Sequence, residues 1–187
     1  MSYVIPTSTI SLSEQMRMRK VAADKGKAAL ANALSRSMDS LIERSPWYPV
    51  DFVPAATRAG LGGWLSQPQA GAVGTAVSLL ADNAFAALTP TVPNNNVWVF
   101  WGVHCLTLLD PVSRLNFFIG TGTIPKQQYD LEVLQSKLET DGYFTQPMVY
   151  LPQDVVTITI NFRVATGVAA RIVLDAFVIE PEQVTQV

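Results

Sequence analysis

The sequence predicts a mainly β protein: an antiparallel β-sandwich, jelly-roll-like in its more elaborate form, preceded by an extended N-terminal arm and an amphipathic helix. Two observations carry that prediction. From Gly74 onward the chain is written in β-branched and aromatic runs, "VWVFWGV", "SRLNFFIG", "FTQPMVYL", "VVTITINFRV" and "ARIVLDAFVI", separated by Pro, Gly, Asn and Asp. Within 156–164 the alternation is strict, with Val156, Ile158, Ile160, Phe162 and Val164 on one face and Thr157, Thr159, Asn161 and Arg163 on the other. The turn "ATG" at 165–167 follows, and Ile172, Leu174, Ala176 and Val178 resume the same period. The simplest expectation is an antiparallel hairpin with one face buried.

The elements before Gly74 have a different grammar. Pro6 and the β-branched Val4, Ile5, Thr7, Thr9 and Ile10 disfavour helix, so residues 1–10 read as extended. "SLSE" then has the capping-box spacing, Ser11 as N-cap and Glu14 three residues on. From Leu12 to about Glu43 the chain reads as helix, with Leu30, Leu34, Met38, Leu41 and Ile42 as one apolar stripe. Gly26 interrupts it at a cost of about 1 kcal/mol relative to Ala, which predicts either two helices or one that is weak there. "SPWYPVDFVP" at 45–54 stops the helix with three prolines and carries Trp47, Tyr48 and Phe52. Five glycines between 54 and 74 mark an irregular connector. Leu131, Leu134 and Leu138 in "QYDLEVLQSKLETDG" suit a short helix ending at Gly142. The expected division is 1–53 as arm, helix and proline-aromatic strap, 54–74 as connector and 75–187 as the sandwich.

Composition narrows the functional classes. The chain has 187 residues, 49% of them hydrophobic and 15% charged, enough for a sizeable core without disulfides. Its net charge of −2 gives no overall bias toward nucleic acid. The charge is split, however: residues 1–50 hold seven basic and four acidic side chains, and the rest six basic and eleven acidic. No basic region followed by an apolar stretch opens the chain, and the uncharged run 97–109 falls short of the roughly 20 residues a spanning helix needs. A soluble chain is expected.

The only histidine and the only cysteine, His104 and Cys105, are adjacent within "VWVFWGVHC". On a strand they point to opposite faces, so they cannot form a nucleophilic pair with each other. A thiol buried there would also hold little thiolate. No HExxH or CxxC cluster offers a metal site, and no GxSxG an activated serine. "GTGT" at 120–123 lacks the Lys-Ser/Thr of a phosphate loop and reads as a turn, and "GLGGW" at 60–64 as a flexible link. Asp130, Glu132, Glu139 and Asp141 read as a solvated face rather than an acid–base pair. The cations Arg17, Arg19, Lys20, Lys25 and Lys27 are the one segment suited to phosphates. Asp24 intrudes there and no aromatic interleaves, so a solvated or partner-docking helix face is the first expectation and nucleic acid contact the alternative.

A chain poor in chemistry and rich in apolar surface needs something to cover that surface. The layout of arm, helix, strap and sandwich resembles small viral and phage virion structural proteins of the capsid, cement or decoration type. The resemblance implies a non-enzymatic, capsid-associated homo-oligomer without a cofactor, assembled in the host cytoplasm with other virion proteins and resident in the virion. The apolar residues of the arm, helix stripe and strap place the expected subunit interface on Tyr3, Val4, Ile5, Leu30, Leu34, Met38, Trp47, Tyr48 and Phe52, with the arm crossing to a neighbour. Removing 1–53 would then leave a folded β domain that no longer assembles. The alternatives are a major capsid subunit of a small virus, or a carbohydrate-binding sandwich of a viral appendage, for which Trp98 or Trp101 should lie exposed in a groove.

Overall fold

The computed structural model describes residues 2–45, 76–79, 89–105, 112–163 and 172–182. It is mainly β. Strands β1 (Ser2–Pro6), β2 (Leu41–Arg44), β3 (Ala76–Ser78), β4 (Val97–Cys105), β5 (Val112–Ile119), β6 (Gln127–Asp130), β7 (Asp141–Tyr150), β8 (Val156–Phe162) and β9 (Ile172–Pro181) form one sheet in the order β2-β9-β4-β7-β1-β6-β5-β8-β3. The helices are α1 (Leu12–Leu34) and the short α2 (Glu132–Ser136). Pairing is antiparallel throughout except between β1 and β6, which run parallel, so the sheet is mixed rather than purely antiparallel.

The sheet curls because both of its halves have one apolar face and a single core satisfies both. Phe100 of β4 and Phe144 and Tyr150 of β7 meet Phe117 of β5 and Tyr129 of β6. Tyr129 and Phe144 stack at 3.9 Å between ring centroids. The two buried phenols keep their hydroxyls paired: Tyr150 donates to the Phe118 carbonyl at 2.9 Å, and Tyr129 to that of Gln146. Burial pushes both phenols far above their ordinary range, so they remain neutral donors.

The N-terminal "arm" is not an arm. β1 sits inside the sheet, its Ser2 and Tyr3 registered with Tyr129 and Asp130 and its Val4, Ile5 and Pro6 with Phe144, Tyr143 and Gly142. It is the strand that joins the two halves, so residues 2–6 are part of the sheet. The predicted 156–178 hairpin also fails in its pairing. Both strands bury the expected residues, but β8 lies between β5 and β3 whereas β9 lies between β2 and β4. A period of two tells which face is apolar and says nothing about the neighbour. The link at 164–171, like the strap and connector at 46–75, lies outside the described residues.

Helix α1 begins as expected, with the Ser11 hydroxyl accepting from the Glu14 amide at 3.3 Å. It runs unbroken through Gly26 but ends at Leu34, not near Glu43, where Ser35 turns left-handed (φ 52°). Met38 then lies in a 3-10 turn, and Leu41 and Ile42 in β2. The leucine-rich stretch near 131 is shorter too. Residues 127–130 are strand, α2 has five residues, and Leu138, 81% exposed, lies beyond it.

Gly26 has a packing reason. Ala22, Ala23, Gly26, Leu30 and Ala31 form the buried side of α1 against Val97, Val99, Phe177 and Ile179 on the outer face of β4 and β9. A Cβ at Gly26 would stand 2.5 Å from Val99 Cγ2 and 2.9 Å from Ile179 Cγ1. Gly26→Ala should lower the urea midpoint by the equivalent of about 1–3 kcal/mol, the overpacking cost outweighing the helix-propensity gain of about 1. A more stable variant would mean that the helix stands further from the sheet.

Candidate functional site

A polar cluster that holds the chain's histidine lies on the outer face of β7, β4 and β9. A bulge builds it. Phe100 pairs with Ala176 and Gly102 with Asp175, so Trp101 is an extra residue in β4. Strict alternation from Trp98 and Phe100, both in the inner core, would send Gly102 and His104 inward. The bulge resets the phase, so that Val103 enters the core and His104 turns outward. Gly102 is needed there, since a Cβ would meet Asp175 Oδ2 at 2.7 Å.

His104 then lies between two carboxylates. Its Nδ1–H donates to Asp141 Oδ1 at 2.6 Å, directly across on β7, and its Nε2–H to Asp175 Oδ2 at 2.9 Å on β9. These bonds hold the imidazole well above its usual range, at about 9, with the bond to Asp175 as the largest cause, partial burial opposing it and Asp141 adding to it. At neutral pH the ring is an imidazolium with both nitrogens donating. It has no lone pair for a proton, an acyl group or a metal ion. The arrangement clamps three strands through one side chain.

Beside the clamp the rings of Tyr143, Trp101 and Phe177 lie nearly parallel, Trp101 being 4.9 Å from Tyr143 and 5.4 Å from Phe177. The Arg19 guanidinium covers Phe177 at 4.9 Å. Both faces of Trp101 are occupied, and Trp98 is buried. Neither tryptophan offers a platform on which a sugar could stack. No protein-family model matches the chain, and no curated protein matches it either.

The residues expected at a subunit interface are scattered. Val4 and Leu30 are buried within the chain's own cores, and Leu34 packs partly buried against the helix–sheet cluster. Ile5 is half-buried, while Tyr3 and Met38 are exposed. Trp47, Tyr48 and Phe52 lie outside the described residues. The four acidic residues near 130–141 separate: Asp130 caps the Glu132 amide, Glu132 is exposed, Glu139 accepts from Ser8, and Asp141 holds His104. Of the basic residues, Arg17 pairs with Glu14, and Arg19 with Glu43 at 3.6 Å. Lys20 and Lys25 are exposed and Lys27 half-exposed. Among the described residues no helix is long and apolar enough to cross a membrane.

Sequence reasoning missed Asp175 altogether. The signal was Gly102, an isolated glycine within a strand pattern, which marks a bulge or a close approach.

Proposed function

We propose that this chain is a non-enzymatic structural protein of a virion, capsid-associated and homo-oligomeric, which ties neighbouring subunits together. The observation that carries the reading is where its large apolar side chains stand. Leu12 and Met16, one helical turn apart at the exposed start of α1, are 66% and 62% exposed, and Tyr3 is exposed at the start of β1. The sole histidine, meanwhile, is fully engaged by carboxylates. The tie runs through these outward side chains, because Val4 and Leu30 are already covered by their own chain. We read the curled sheet as a β-sandwich whose layers, β2-β9-β4-β7 and β6-β5-β8-β3, are joined through β1.

The solution mass of the purified chain tests the reading. An oligomer is expected at micromolar concentration, and the Leu12→Glu, Met16→Glu double variant should be a folded monomer. A wild-type monomer at all concentrations would remove the proposal.

A further inference from the structure

We propose that the Asp141–His104–Asp175 bridge is an alkaline-sensitive latch that keeps the N-terminal half of α1 on the sheet. The two halves of the helix are held differently. The fully buried residues of α1 begin at Ala22, and of the apolar side chains before it only Met18 is half-buried. Gln15 and Arg19 hold these first turns. Gln15 donates to the carbonyls of Thr7 and Ile10 and accepts from the Tyr143 hydroxyl at 3.2 Å. Arg19 lies over Phe177. Tyr143 and Phe177 are the outer members of the ring stack on Trp101, the bulge residue of β4. The stack joins β7, β4 and β9 side by side, and the histidine bridge joins the same three strands one step further along.

The bridge depends on two protons. With both present, each carboxylate faces an N–H. Loss of either leaves a nitrogen lone pair against a carboxylate oxygen at 2.6 or 2.9 Å, so that carboxylate turns away and the side-chain tie between its strand and β4 is lost. The groups facing the ring are Asp141 and, further along β7, the Tyr143 phenol, together with Asp175 from β9. Burial, with help from the same two carboxylates, keeps the phenol protonated above its usual range. From α1 come the neutral Gln15 and Arg19, the latter drawn to Glu43. The folded imidazole titrates above an unfolded value of about 6.5. Its contribution to stability is therefore complete below about 6.5 and disappears as pH rises through about 9.

Because the chain has one histidine, its ring resonance in a proton NMR titration is unambiguous. Amide exchange of the full chain, corrected for intrinsic rates, would be followed alongside it from pH 7 to 10. The expected result is a tenfold or greater loss of protection for residues 12–21, with its midpoint at the histidine titration near 9 and little change for 26–34. Asp141→Asn, at a half-exposed carboxylate, should fold and move both midpoints down together. His104→Gln should show no alkaline step. A histidine titrating at or below about 6.5, an unchanged step in His104→Gln, or protection lost equally along the whole helix would overturn the latch.

Discussion

Deleting residues 1–10 should unfold the chain. β1 is only five residues long, but it has a hydrogen-bonded neighbour on each side, β7 antiparallel and β6 parallel. Its removal opens two edges in the middle of the sheet and leaves their backbone groups unpaired, at about 1–3 kcal/mol for each one that water cannot reach. Val4 also leaves the core, which forfeits roughly 2 kcal/mol of apolar burial. The fit around that side chain is close: a Cβ on Gly142 would collide with Val4 Cγ1 and stand 2.9 Å from Leu134 Cδ2. The sum is a large share of the roughly 5–15 kcal/mol that holds a domain of this kind together. Circular dichroism of the truncated chain should show no cooperative thermal transition. If it melts cooperatively near the wild-type temperature, the two halves close on each other without β1, and residues 1–10 are trim after all.

That strand was legible as extended and illegible as central. Val4, Ile5 and Pro6 state a conformation, but a five-residue segment before a long helix carries no mark of its partners, which lie more than 120 residues away at Tyr129 and Phe144. The helix start was legible because capping is local: Ser11 and Glu14 are three residues apart. Its end was not, because Ser35 takes the left-handed position that glycine usually marks. In β8 and β9 the buried faces followed directly from the alternation, whereas the assignment to opposite halves of the sheet depends on a core that forms only once all the strands are assembled. The clamp was hidden for the same reason. His104 and its two aspartates come from three strands, and the face on which they meet is set by one extra residue in β4. Once a bulge changes the phase, counting by twos from Trp98 gives the wrong answer for every residue after it.

The aromatic core gives the sharpest single-residue test. Phe117 is fully buried, and its ring lies 5.6 Å from Phe100, 5.6 Å from Tyr129, 5.9 Å from Phe144 and 6.4 Å from Tyr150. Its contacts with Tyr129 and Phe144 are close to edge-on, at interplanar angles of 89° and 78°. Such pairs contribute about 0.5–1.5 kcal/mol each beyond area burial. Because these partners stand on strands of both halves, Phe117→Ala opens a cavity where the halves meet, and neither can relax into it without pulling on the other. Its cost should lie at the upper end of the roughly 3–5 kcal/mol typical of a buried Phe→Ala change. At about 2–4 °C per kcal/mol for a chain of this length, the melting temperature should fall by roughly 10–20 °C. Thr159→Ala is the control, on the outward face of β8, where the hydroxyl accepts from the Asn116 amide at 3.2 Å. It should cost only about 1 kcal/mol. Equal losses for the two would show that the outward face of β8 is as tightly covered as the inward one, and that the core enclosed by the curled sheet is not where most of the stability resides.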